Sequence, residues 1–158
     1  SAASDVYKRQ MQDDVETIAA ATDMLAEAKL TPELRNEALY FRAKAYLNQQ
    51  ADKKAMNDLQ ALAKDTRTLY GAEAKYLVAL QLYKAHEYAA AEKEILNFIE
   101  QSTPHAYWLA RSFILLSDVY VSMDKKLDAR QYLLSLQQNY HADDDIEQMI
   151  NERLEKLK

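Results

Sequence analysis

Residues 103–120, TPHAYWLARSFILLSDVY, bring the chain's single Trp, one of its three His, an Arg, two Ser and an Asp into one short stretch. Nucleophilic catalysis needs a Ser with a base in reach and a third group to orient that base, and neither Ser112 nor Ser117 follows the glycines of a nucleophile elbow. His105 has no second His one helical turn away to complete a metal pair, and His86 and His141 fall at predicted turns. The acidic run Asp143, Asp144, Asp145 and Glu147 lacks the alternating carboxylates, Gly and distant Glu of a calcium loop. A capping box, with Asp144 as N-cap and Glu147 three residues on, accounts for it more simply. Glu92 and Glu94 stand two apart on a helix and face away from each other. The residues therefore point to no catalytic group, cofactor or metal site, and the chain reads as a non-enzyme.

The elements that hold these residues are helices. One Gly, Gly71, and two Pro, Pro32 and Pro104, leave little material for hairpin turns in 158 residues, whereas Ala, Leu, Glu, Lys and Gln abound. The class is all-α. A chain of this length buries roughly two thirds of its unfolded surface and holds a core without staples. With no Cys there is neither disulfide nor thiolate chemistry. The net charge of -5 repels a phosphate backbone, so single-stranded RNA ranks below protein as a partner. The longest apolar run, Phe113 to Leu116, falls far short of the ~20 residues a membrane span requires, so no membrane insertion is expected.

An internal repeat organises the helices. Ala43, Ala79 and Ser117 are equivalent small residues, each followed after three positions by a large one (Tyr46, Leu82, Tyr120) and after twelve by Ala55, Ala91 and Ala129. Apolar residues follow at Leu59, Ile95 and Leu133, then at Leu62, Phe98 and Leu136. Steps of three and four within each half predict two helices per copy, and the paired small residues predict close approach of those helices. Thr31-Pro32 and Thr103-Pro104 are expected to cap the first helices of copies one and three, while Gly71 in the second copy permits close approach. Val15, Ile18, Ala19, Met24 and Leu25 are expected to form a sticky face on a helix left from an earlier hairpin. Ile146, Met149, Ile150 and Leu154 form the stripe of a terminal capping helix.

These positions resemble the tetratricopeptide repeat family, whose hairpins carry small residues at the eighth and twentieth places, an aromatic at the eleventh and a bulky apolar residue at the twenty-fourth. Leu82 departs from the aromatic, the eighth place holds Ala or Ser in place of Gly, and the fourth holds Leu39, Lys75 or Phe113 in place of Trp. From Ala38 to Lys158, through LAKDTRT, GAEAKY, QYLLSLQQNY and IEQMINERLEKLK, the chain resembles the C-terminal end of large proteins of this family from Bacteroides-type bacteria. The resemblance implies antiparallel helical hairpins stacked as a right-handed α-solenoid. SAASDVYKRQ resembles translated adaptor sequence, and with the repeat positions the chain is expected to divide into a non-native leader (1–10), a residual helix of a preceding repeat (11–30), three hairpins (31–142) and a C-terminal capping helix (143–158). The family resemblance also implies an envelope location facing the periplasm.

The resemblance further implies a concave groove lined by the first helix of each hairpin, binding a peptide or partner domain, with self-association into a homo-oligomer as the alternative. Carried over residue by residue, the groove comprises Glu37, Tyr40, Lys44, Leu47 and Asn48, then Glu73, Tyr76, Leu80, Tyr83 and Lys84, then Arg111, Ile114, Asp118, Val121 and Ser122. Tyr40, Tyr76 and Tyr83 carry most weight, because a partly exposed Tyr offers apolar area and a hydroxyl together. Packing between neighbouring repeats is the competing role for the same rings. The chaperone-tail carboxylate clamp is not reproduced, since its Lys and Asn places in copy one hold Tyr40 and Lys44.

Overall fold

The computed structural model describes residues 1–158 and contains eight α-helices and no strand. They are α1 (Ala2–Leu25), α2 (Pro32–Asn48), α3 (Asp52–Leu62), α4 (Leu69–Lys84), α5 (Tyr88–Glu100), α6 (Ala106–Ser122), α7 (Lys126–Asn139) and α8 (Ile146–Lys156). Each helix packs against the next, and α2, α4, α6 and α8 also pack on one another in succession. The even-numbered helices thus form a continuous row, while the odd-numbered ones touch only their chain neighbours.

The six small residues account for the pairing. Ala43, Ala55, Ala91 and Ala129 are wholly inaccessible, and Ala79 and Ser117 are 1% exposed, so each helix pair meets where its side chains are shortest. The turns between paired helices repeat as closely as the seams do. Gln50, His86 and Asp124 all adopt left-handed backbone, with φ of 59°, 61° and 59°. In each turn the following amide donates to the carbonyl of the large residue three places after the first small one: Ala51 to Tyr46 (2.8 Å), Glu87 to Leu82 (2.9 Å) and Lys125 to Tyr120 (2.8 Å). The left-handed residue's own amide donates to Leu47, Tyr83 or Val121, completing a Schellman motif three times over.

Seam chemistry differs between copies. In the first hairpin Arg42 reaches both carboxylate oxygens of buried Asp58, at 2.8 and 2.7 Å. At the position equivalent to Asp58 the second hairpin has Glu94, which takes buried Lys75 at 2.8 Å, and Asn97 accepts a further bond from the same ammonium at 2.7 Å. The third hairpin replaces this pair with Phe113 and Tyr132, rings 5.8 Å apart, and Tyr132 also meets Tyr120 at 5.6 Å.

The helix ends correct several expectations. Thr31 caps α2 as expected, its hydroxyl accepting the Leu34 amide at 3.2 Å. Thr103 does not cap α6, which begins at Ala106 with His105 at the N-cap. Instead its hydroxyl donates to the Thr66 carbonyl at 2.6 Å and accepts from the His105 amide, clamping one connection on another. Thr68, which the sequence pattern did not single out, caps α4 through the Gly71 amide. A Cβ on Gly71 would lie 1.9 Å from the Asp65 carbonyl oxygen, so this is a position of close approach. The capping box of Asp144 and Glu147 does not form. Asp144 accepts the Ile146 amide two residues on and the Tyr140 hydroxyl, and Asp145 takes the N-cap position.

At the ends of the row, α1 extends unbroken through the leader and runs longer than any other helix. It turns Asp14, Ile18, Ala21 and Leu25 inward, whereas Val15, Ala19 and Met24 face out. Asp14 is buried because Gln10 and Asn48 both donate to it. At the other end Ile146 and Ile150 of α8 are buried against α6 and α7, with Met149 and Leu154 half-buried beside them.

Candidate interaction surface

The row of even helices brings most of the expected groove residues onto one face and then ties many of them together. Tyr40 on α2 donates to both carboxylate oxygens of Glu73 on α4, at 3.0 and 3.1 Å, and Lys44 reaches the same carboxylate at 3.0 Å. The Tyr40 ring stacks on Tyr70 at 4.2 Å. Burial, and next to it the Glu73 charge, push the Tyr40 hydroxyl up to about 12, because both disfavour a second anion there.

The next interval of the row uses different residues in the same arrangement. Arg111 on α6 donates one Nη to the Tyr76 hydroxyl at 3.0 Å and the other to Tyr107 at 2.9 Å. Its guanidinium lies 5.0 Å from the Tyr76 ring centre and 6.0 Å from that of Trp108, whose ring meets Tyr76 at 5.6 Å. Tyr107 in turn donates to Asp145 at 3.0 Å. Further along α6, Asp118 takes a two-pronged pair from Arg153 of α8, both bonds 2.9 Å.

Glu73 and Tyr76 are therefore buried, and they hold helices together. Ile114 is 1% exposed, packed with Ala110, Leu133, Ile146 and Ile150, and it offers no surface. Its place on the groove face is covered because α8 closes over that part of α6. Leu47 and Leu80 are half-buried against the core, and Asn48 is spent on Asp14. Glu37, Lys84, Val121 and Ser122 remain exposed, with Tyr83 half-exposed.

The open part of this face is a cleft of about 510 Å³ near the C-terminal ends of α4 and α6. Tyr83, Asp118, Val121 and Ser122 line it together with Lys126, Glu152, Arg153 and Lys156. Sequence reasoning assigned the first four to the groove and missed the three cations, which stand on α7 and α8. The offsets between bonded partners, 33 residues from Tyr40 to Glu73 and 35 from Tyr76 to Arg111, lie near the repeat spacing, and that was the available signal.

The groups that drew attention as possible chemistry have structural contacts. Ser112 donates to the Trp108 carbonyl one turn back at 2.9 Å. His105 and His141 bond backbone carbonyls of Arg67 and Gln138, and His86 occupies a left-handed turn position. The arrangement can grip a polar or charged segment through aromatic edges, hydroxyls and ammonium groups. Compared with protein-family models, curated proteins and solved structures, the chain matches none of them.

Proposed function

We propose that this chain is a non-enzymatic protein-interaction scaffold, a right-handed tetratricopeptide-like solenoid that binds a peptide or partner domain on the face of its even helices. The cleft beside α4, α6 and α8 carries the reading. There Tyr83, Val121 and Ser122 stay accessible next to Lys126 and Lys156, neither of which is in an ion pair, whereas Tyr40, Lys44, Glu73, Tyr76, Arg111 and Asp118 of the same face are engaged in contacts between helices. Two uncommitted ammonium groups beside an aromatic ring and a hydroxyl favour an acidic segment with at least one apolar side chain. The repeated Schellman turns and inaccessible small residues support the hairpin register on which the groove depends.

Capture from a lysate of a bacterium that encodes the protein provides the test, with the full chain as bait. Tyr83→Ala combined with Lys156→Glu should lose the protein that the parent retains, and Lys64→Glu, on an exposed residue away from the cleft, should keep it. Equal capture by all three baits would refute the cleft as the binding site. The envelope location implied by the family resemblance is part of the same proposal. Fractionation of cells carrying the full-length gene checks it.

A further inference from the structure

Of the six small residues at the hairpin seams, Ser117 alone carries a hydroxyl, and Ala43 and Ala79 fill the equivalent place in the first two copies. Packing therefore does not require the oxygen. The side chain is 1% exposed, and its Oγ has no hydrogen-bond partner. A buried hydroxyl in that state destabilises the chain by the cost of taking it out of water. Ser112, five residues earlier on α6 and also inaccessible, shows the usual remedy, donating to the Trp108 carbonyl one turn back at 2.9 Å. Ser117 makes no such bond to the Phe113 carbonyl, and it stands in the wall of the cleft beside α4, α6 and α8.

Charge around the cleft indicates what the hydroxyl lacks. Asp118 and Arg153 neutralise each other in their two-pronged pair, which leaves the ammonium groups of Lys126 and Lys156 and the carboxylate of Glu152. None of these three is in an ion pair, so two positive charges against one negative leave a surplus of one. A carboxylate matches that surplus, whereas the charge of a phosphate group exceeds it. Its two oxygens can also accept from a hydroxyl and an ammonium group together.

Resting on the cleft as the binding site, we propose that a glutamate or aspartate side chain of the bound segment enters it, one oxygen accepting the Ser117 hydroxyl while Lys126 and Lys156 supply the countercharge. Val121, 39% exposed, and half-buried Leu157 border the same cleft and receive the apolar neighbour of that acid. The serine in place of alanine is thus a specificity element set into a structural seam.

The probe is the synthetic peptide acetyl-Leu-Glu-Leu-Glu-Leu-amide, whose blocked ends leave side chains as its only carboxylates. Titrated into the isotope-labelled full chain, it should shift the backbone amide signals of Ser117, Val121 and Ser122 saturably. A peptide with Gln in place of Glu, and the Ser117→Ala chain with the original peptide, should each bind about tenfold more weakly. The urea midpoint of free Ser117→Ala should be unchanged or raised, because Ala already serves at this place in two hairpins; a purely structural hydroxyl would lower it on removal. Lys126→Gln with Lys156→Gln examines the cleft itself. Loss of the peptide by that double variant, with Ser117→Ala binding like the parent, leaves the cleft standing and overturns this inference, the hydroxyl then being met by water only. Absence of saturable shifts, or equal binding of the two peptides, overturns it as well, while the capture experiment above judges the cleft independently.

Discussion

The second and third hairpins face the same structural problem and solve it with opposite chemistry. Where α4 meets α5, Lys75 is buried to 8% exposure and held by Glu94 and Asn97. At the equivalent place between α6 and α7, Phe113 meets Tyr132 with no charge at all. Only three residues on from Lys75 and Phe113 the two copies converge again on Val78 and Leu116, and then on the small pair Ala79 and Ser117, all nearly inaccessible. Size is thus held constant at the point of closest approach, while polarity is free one turn away. The physical reason is distance. Where backbones nearly touch, an added methylene forces them apart, but at the wider end of the seam either a paired charge or two rings can fill the space.

Substitutions can break this comparison or sharpen it. The largest effect is expected from Lys75→Ala, which leaves Glu94 and Asn97 without their ammonium and opens space in the seam. It should cost about 3 kcal/mol in urea unfolding. Ala91→Leu tests the constant part, and overpacking should lower stability by about 2 kcal/mol. An Ala91→Leu chain that melts like the parent would refute the tight seam. Grafting the third hairpin's solution onto the second, Lys75→Phe with Glu94→Tyr, should bring stability to within about 1 kcal/mol of the parent and recover most of the loss seen in Lys75→Ala.

The contacts between even helices predict an alkaline limit. Tyr40 is held neutral by burial and by Glu73, so its folded value of about 12 lies above the ordinary value near 10. Its contribution is complete below pH 10 and is lost as pH rises through about 12, because the unfolded chain releases that proton first. Tyr120 is raised in the same sense by burial and, after it, by the Glu92 carboxylate. Urea midpoints followed from pH 9 to 11 should fall, and Tyr40→Phe should flatten the decline. The smallest expected effect is at the turns. Gln50→Gly relieves a left-handed backbone that a side chain opposes, and should gain about 0.5 kcal/mol after the greater freedom of the unfolded Gly is deducted.

Much of the fold was legible in the residues. Six small residues at a common interval located three helix pairs, and every one of them is buried. The stripe Ile146, Met149, Ile150 and Leu154 correctly placed a helix and its inward face. The ends were read less well. Thr103-Pro104 has the residue types of a cap, yet Thr103 is drawn away by the Thr66 carbonyl from another connection. Asp144 was diverted by near neighbours instead, the Tyr140 hydroxyl four residues back and the Ile146 amide two residues on. Capping is a contest among several partners, some of them distant, and residue type at one spacing registers only one of them.

The groove was legible as a face but not as a surface. Position within the repeat put Tyr40, Tyr76 and Tyr83 on one side of successive helices, since that depends only on the helical period. Whether each ring is open depends on what stands across from it. Tyr76 is enclosed by Trp108 and Arg111, Tyr40 lies on Tyr70, and Tyr83 borders the cleft. By itself the sequence determined the helices, their pairing and the positions that stay small, because periodicity and side-chain volume are properties of the chain read locally. Tertiary structure alone decided which groove residues hold helices together and which remain available, because burial belongs to pairs of elements whose residues meet only after folding.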